Sequence, residues 1–348
     1  MKILYGIQGT GHGHISRARA ILPKLMEKAQ VDVLLSGTNC KLGLDSGTII
    51  RKRGISFEYD AGGSISILGT ALGIDPFRLV RDIHELPVEE YDLVVSDFEP
   101  ITAWAAFTSG VPSIGMSHQA SFLSGRTPRP KKISPVAESF LKRFVPCSRS
   151  IGFHFQRYDR FIEPPIIRDQ VLSLSPETGG HITVYLPSFD HQTLISILEP
   201  IDDVRWEIFS PYCDKTYTHG SVSVFPVGNE PFLQSLEQCL GVLSGAGFET
   251  CAESMYLGKK LMVLPIRNQY EQLCNAAALQ QMGVSVLEHP GRQSESAIRN
   301  WLRNSPAILL PEIADTDTVT NKIIRFAKRR ERSRAKMARA SGTSFTLL

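Results

Sequence analysis

CLGVLSGAGFETCAESMYLGKKLMVLP, residues 239–265, decides the fold. Two short apolar runs, CLGVLSG and KLMVLP, are separated by a turn of small residues and a stretch of helical spacing. A strand ending at Leu243, the turn Ser244-Gly245-Ala246-Gly247, a helix and a second strand form the crossover unit of a parallel sheet. Outward from it, the same rhythm runs through HITVYLP, VRWEIF and VSVFPV before it and VSVLEH after it. It also runs through the first half, in KILYGI, then Ile15 to Lys28, VDVLLS, YDLVVSD, Ile101 to Thr108 and PSIGMS. At 348 residues the chain exceeds one ordinary core. The expectation is an α/β protein of two doubly wound, Rossmann-like domains facing across a cleft. Between the halves, QRYDRFIEPPIIRDQVLSLSPETGG is rich in proline and charge and lacks periodicity. It sets an N-terminal domain at 1–157, a linker at 158–168, a C-terminal domain at 169–327 and a basic tail at 328–348.

Composition narrows the function classes. With 42% hydrophobic and 21% charged residues, the chain reads as globular rather than disordered. No apolar stretch approaches the roughly 20 residues that cross a bilayer, and no signal peptide opens the sequence, so a cytoplasmic location is expected. The six cysteines are scattered without a C-x-x-C pair, which suggests neither a disulfide framework nor zinc. The net charge of +3 hides an asymmetry: Arg325 to Arg339 carries eight basic residues against Glu331 alone. Such a segment is either a foot for anionic lipid or a solvated helix end with a frayed tail. Nucleic acid is not expected as a partner, because no basic motif interleaved with aromatics accompanies it.

The loop Gly9-Thr10-Gly11-His12-Gly13-His14 follows the first apolar run and enters a helix. It lacks the Gly-Lys-Ser/Thr of a Walker A loop, and its G-x-G-x-G spacing differs from the dinucleotide G-x-G-x-x-G. Zinc on His12 and His14 lacks a third ligand at suitable spacing, so no metal is expected. What is left is a general base, because a neutral imidazole accepts a proton near pH 7. His14 is favoured over His12, since it sits where the helix begins and a helix N-terminus disfavours the imidazolium. Gly11 and Gly13 allow a ligand close to the backbone. The bland alternative is two polar loop histidines without chemistry.

In the second half, the amides opening the helix after Ser244-Gly245-Ala246-Gly247 are free to hold a diphosphate. Glu253, one turn beyond Glu249, reaches back toward that turn and suits ribose hydroxyls; alone, it reads equally as a surface acid. The loop IRNQYEQLCNA gathers Asn268, Gln269, Glu271, Gln272 and Asn275, a set suited to a polyhydroxylated ligand. On the acceptor side the candidates are Asp97 and Glu99 in VVSDFEP and His118 and Gln119 in SHQASF, against the simpler reading of helix caps. SGRTPRPKK places Arg126, Arg129, Lys131 and Lys132 beside Phe122 and Leu123. That pattern fits a lipid-linked acceptor met at a membrane surface, and it fits a solvated loop equally well.

Taken together, GTGHGHI, SGAGFETCAE, LGKKLMVLP and EQLCNA make the sequence resemble the GT-B-fold glycosyltransferases. The resemblance is to the group of the peptidoglycan lipid-intermediate N-acetylglucosaminyltransferase and the UDP-glycosyltransferases, nearest an archaeal and bacterial branch. It implies His14 as base, Ser244, Gly245 and Ala246 at the diphosphate, Glu253 at the ribose, and Glu271 with Gln272 at the donor sugar. Three positions depart from the pattern: Ser244-Gly245-Ala246 stands for His-Gly-Gly, Lys260 for the Pro of G-x-P, and Glu271 for Asp. The implied activity is metal-independent, inverting transfer from a nucleotide diphosphate sugar, a UDP-sugar above all, to a hydroxyl acceptor. The sugar nucleotide is a substrate, so no cofactor is implied. A nucleotide-sugar 2-epimerase of the same fold and a non-catalytic sugar-nucleotide binding protein are the competing readings.

Overall fold

A computed structural model of the chain describes residues 1–9, 12–37, 48–55, 75–291 and 294–342, with the side chains of residue 12 and of 330–342 outside that description. The first lobe holds β1 (Lys2–Gln8), α1 (His12–Met26), β2 (Gln30–Ser36), β3 (Ile49–Lys52) and α2 (Pro76–His84). These are followed by β4 (Leu93–Asp97), α3 (Pro100–Thr108), β5 (Ser113–Ser117), α4 (Pro135–Arg143), β6 (Arg149–Phe153) and β7 (Ile162–Glu163). Among the described residues its seven strands lie in the order β3-β2-β1-β4-β5-β6-β7, all parallel. Both faces are covered. Ile3, Tyr5 and Ile7 meet Ala18, Ile21, Leu22 and Leu25 of α1, while Leu4 meets Ile101, Ala105 and Ala106 of α3. That period-two division explains why the strands read as unbroken apolar runs.

The second lobe repeats the plan. It contains α5 (Asp169–Leu172), β8 (His181–Tyr185), α6 (His191–Leu198), β9 (Arg205–Ser210), β10 (Tyr217–His219), β11 (Val222–Pro226) and α7 (Asn229–Gln238). It continues with β12 (Gly241–Ser244), α8 (Phe248–Tyr256), β13 (Lys260–Val263), α9 (Tyr270–Gln281), β14 (Ser285–Val286) and α10 (Ser294–Asn304). Among the described residues the strand order is β10-β11-β9-β8-β12-β13-β14, with the β10–β11 pair antiparallel and the others parallel. In each sheet the order reverses at one place, between β1 and β4 and between β8 and β12. Ligands of open parallel sheets bind outside the carboxyl ends of strands at such points. The strands ending at Gln8, Asp97 and Ser244 are therefore the ones that matter.

The boundaries differ from expectation in two ways. Strand β7 pairs with β6, so the first sheet runs through Glu163, inside the segment read as linker. The last helix, α11 (Thr316–Gly342), returns to the first lobe: Lys24 of α1 donates to Asp317 at 2.5 Å and Lys28 to Asn321 at 3.1 Å. Its stripe Val319, Ile323, Ile324 and Ala327 is buried in the same core as α1. A helix with that spacing must bury its apolar stripe somewhere, and α1 is the face it uses. The chain thus crosses between lobes twice. One core, including Phe155, Ile167, Val171, Leu236 and Phe248, runs from lobe to lobe.

Candidate functional site

Helix α1 begins at His12, three residues earlier than its apolar spacing suggests, so His14 lies in its first turn. Gly11 and the His12 side chain lie outside the described residues. His14 Nδ1 is 2.7 Å from Asp97 Oδ1 at the end of β4. With Nδ1–H donated to that carboxylate, Nε2 is left as the accepting nitrogen. Arg17, three residues on and hence on the same helix face, donates from Nε and Nη2 to the two oxygens of Asp97, each at 2.8 Å. Its Nη2 also stands 3.2 Å from His14 Nδ1. All three side chains are buried. Burial alone would raise the Asp97 pKa, but Arg17 and His14 outweigh it and hold the carboxyl below its ordinary range. Burial works against the Arg17 charge too, and is overcome by Asp97 and then Glu249, which raise its pKa.

Across the gap, β12 ends at Ser244, and Gly247 is the N-cap residue of α8 without a side-chain cap bond. The first-turn amides of α8 consequently have no partner within the helix. Ala246 is buried, and its carbonyl accepts from Asn275 at 3.0 Å. Gln272 accepts from the Ile266 amide at 3.1 Å and lies beside Gly245, tying the α9 loop to the turn. Asn268 is exposed, and Gln269 caps α9 with its side-chain oxygen buried and unpartnered. Glu253 is only 4% exposed, and its oxygens accept from Arg168 at 2.6 and 2.8 Å. A ribose at Glu253 therefore has to share that carboxylate with Arg168 or displace it. Burial raises the Glu253 pKa against the opposing pull of Arg168.

The residues assigned to the acceptor side have other places. Asp97 is fully enclosed, with its oxygens taken by His14 and Arg17, so it holds His14 rather than facing an acceptor. Glu99 is a helix cap: it accepts from the Ile101 amide at 2.9 Å and from the Thr102 amide and hydroxyl at 2.7 Å. A carboxylate ahead of Pro100 meets the free amides of α3 before it can meet any ligand. His118 and Gln119 face the other lobe. His118 stacks on Phe248 with ring centroids 4.0 Å apart, its Nε2 lies 2.8 Å from Asn275 Oδ1, and Gln119 donates to Glu271 at 3.0 Å. Burial raises the Glu271 pKa.

His118 Nδ1 also faces the Phe153 carbonyl at 2.8 Å. A neutral ring can donate to only one of its two oxygens, and burial pulls the His118 pKa down to about 4, so the ring is neutral at pH 7. Neighbouring His154, also enclosed, is held well below its ordinary value by burial. Both histidines bind protons more weakly in the folded chain than in the unfolded one. For His118 the contribution is complete above about pH 6.5 and lost as pH falls from there toward about 4, and His154 acts in the same direction. For His118 alone that difference corresponds to roughly 3 kcal/mol. Urea denaturation should give a lower midpoint at pH 5 than at pH 7, and the His118→Gln variant should show a shallower dependence. Equal midpoints for the native chain would contradict the assignment.

The basic segment SGRTPRPKK, which suits a membrane contact and a solvated loop equally, is partly packed into the first lobe. Phe122 is buried, and Arg129 is spent on Glu138 and on the carbonyls of Phe122 and Thr127. Leu123 is exposed, and further apolar exposure lies at α4, where Val136 is 73% exposed beside Ile133 and Phe140. A groove of about 530 Å³ runs along it, lined by Pro135, Val136, Ser139, Phe140, Arg143 and Phe144. Phe98 lies between this groove and His14: its ring is 5.0 Å from that of Phe144 and 6.3 Å from that of His14. It holds a left-handed backbone, φ 53°, which a bulky residue adopts only under constraint. Arg17, Arg168 and Phe98 were not singled out from the sequence. Only Arg17 had a signal, its three-residue spacing from His14.

Among the described residues no three His, Cys, Asp or Glu side chains converge as a metal site, and no helix is long and apolar enough to cross a membrane. No curated protein sequence matches the chain significantly. Solved structures do resemble it. MurG of Acinetobacter baumannii is 14% identical with TM-score 0.58, covering 93% of this chain and 99% of its own. UGT73P12 of Glycyrrhiza uralensis, complexed with glycyrrhetinic acid 3-O-monoglucuronide, is 10% identical with TM-score 0.62 over 99% of each chain. The glycosyltransferase VinC, in complex with DTDP, is 11% identical with TM-score 0.59, over 94% of this chain and 100% of that one. At these identities the likeness is one of fold, the two-lobed GT-B architecture. The profile of glycosyl transferase family 1 matches residues 1–306, most of the chain and both switch points, and so the protein is a glycosyltransferase belonging to that family.

Proposed function

We propose that the protein moves a sugar from a nucleoside diphosphate sugar, a UDP-sugar first among them, to a hydroxyl acceptor with inversion at the anomeric carbon. The observation that carries this reading is the 2.7 Å contact of His14 Nδ1 with Asp97, placed on the lobe facing the uncapped start of α8. His14 Nε2 takes the acceptor proton as the acceptor oxygen attacks the anomeric carbon on the face opposite the diphosphate. The bond to the diphosphate oxygen breaks, and the α8 amides stabilise the charge gathered there. Ser244, Gly245 and Ala246 border the diphosphate, Glu253 the ribose, and Glu271 with Gln272 the donor sugar. No metal ion and no cofactor take part, and chelation by EDTA leaves turnover unchanged.

The acceptor enters along the α4 groove, which supports an apolar, lipid-linked molecule met at the inner face of a membrane. Lys131, Lys132, Lys142 and Arg143 beside Val136 and Phe140 suit an anionic surface. Sedimentation with phosphatidylglycerol vesicles, but not with phosphatidylcholine vesicles, is expected; equal binding to both, or to neither, removes the membrane part of the reading.

The central test is a thermal-shift comparison of UDP, dTDP, GDP, CMP and ADP. A ligand at 100 times its Kd stabilises the folded chain by about 2.7 kcal/mol, a readily measured rise in Tm. A nucleoside diphosphate must be among those that shift it. If none does, or if UDP-N-acetylglucosamine alone is converted to an epimer, the transfer reading is wrong.

A further inference from the structure

Arg17 has three directions of donation and uses two on Asp97. The third, Nη1, leaves the first lobe and meets Glu249 Oε1 at 3.3 Å. This is a long contact for a charged pair, which ordinarily closes to about 2.7–2.9 Å. Glu249 stands in the first turn of α8, its side chain about one-third exposed. A carboxylate there offsets the positive end of the helix, the role any bound anion would take. It also presses on the histidine loop: a Cβ on Gly13 would come within 2.3 Å of Glu249 Oε1. The carboxylate thus fills the space between the base-bearing loop and the helix end. Nearby, the buried side-chain oxygen of Gln119 has no partner, so the polar seam between the lobes is incomplete as it stands.

We propose that Arg17 is the cation that receives the donor diphosphate, and that Glu249 is an internal anion holding its place until the donor arrives. The proposal rests on the reading of the α8 start as the diphosphate site. A helix end supplies only about half a unit of positive charge, whereas a departing nucleoside diphosphate gathers more than one negative charge. A guanidinium already locked by two bonds to Asp97 is pre-positioned, so little rotamer freedom is lost when its remaining nitrogen meets a phosphate oxygen. Displaced Glu249 swings toward solvent, which its exposure allows. Because the same guanidinium holds Asp97 beside His14, diphosphate and base are placed by one side chain.

The test compares the native chain with Glu249→Gln and Arg17→Lys, titrated calorimetrically with UDP, dTDP and GDP and with the corresponding nucleosides. Glu249→Gln removes the competing anion, so nucleoside diphosphate affinity should rise about tenfold while nucleoside affinity stays the same. Arg17→Lys keeps a charge for Asp97 but loses the fork, so diphosphate affinity should fall at least about tenfold, with a weaker dependence on salt. Glu249→Gln, an isosteric change at a partly exposed side chain, carries the test if Arg17→Lys fails to fold. Unchanged or weaker diphosphate binding in Glu249→Gln overturns the placeholder. If the native chain binds no nucleoside diphosphate at all, the proposal falls together with the donor-site reading, a different outcome from binding that ignores both variants.

Discussion

The His14→Ala variant is expected to lose roughly 10²- to 10⁴-fold in kcat, the range a positioned general base contributes. Nucleoside diphosphate affinity should stay at the native value, because the α8 turn belongs to the other lobe and Arg17 keeps both of its bonds to Asp97. The fold should persist as well, since Asp97 keeps its ion pair with Arg17 when the imidazole is removed. Rate and nucleotide binding are therefore separable in this variant. Transfer kinetics with saturating donor, alongside calorimetry, read the two quantities independently. If His12→Ala is the inactive variant and His14→Ala retains its rate, the base is His12.

A second large effect is expected from Asp97→Asn. Asp97 is enclosed and is the shared partner of His14 and Arg17. The amide keeps the shape but removes the charge, and it turns a donor toward a nitrogen that now donates. His14 is then driven to the wrong tautomer, with Nε2 protonated and unable to accept. A kcat loss of about 10²- to 10⁴-fold follows. Stability falls too, by about 3–5 kcal/mol, because a buried guanidinium is left without its counter-charge. The two effects are read by transfer kinetics and by urea denaturation of the same preparation. An Asp97→Asn protein of native stability and native kcat would falsify both the dyad and the buried ion pair.

Much of the architecture was legible because parallel strands covered on both faces must be apolar throughout. KILYGI, VDVLLS and LVVSD could hardly be anything else, and each became a strand within a residue or two of its apolar run. Short edge strands escaped notice for the opposite reason. Strand β7 is the two residues Ile162–Glu163, too short to show a period, and it lies in a stretch whose prolines and charges read as linker. The return of α11 was hidden for another reason: its apolar stripe is visible in the sequence, but which lobe it covers depends on α1 being the face that lacks a cover.

The site divides in the same way. Residue type and local spacing were enough for His14 at a helix start and for Ser244-Gly245-Ala246-Gly247 as a strand-to-helix turn, because glycine conformations and free helix amides are properties of a few consecutive residues. Pairings were not legible. Asp97 and Glu99 are two residues apart in one motif, yet one holds His14 and the other caps a helix. His118 and Gln119 looked like contacts for an acceptor, and they face Asn275 and Glu271 of the opposite lobe. Arg168 bonds Glu253 across 85 positions of sequence and Arg17 reaches Glu249 across 232. From its sequence alone this protein shows two open parallel sheets and the loops at their reversal points, since hydrophobic period and turn chemistry act locally. Which charged group answers which was decided only by the packing of lobe on lobe, because a buried charge takes the partner that folding brings within about 3 Å.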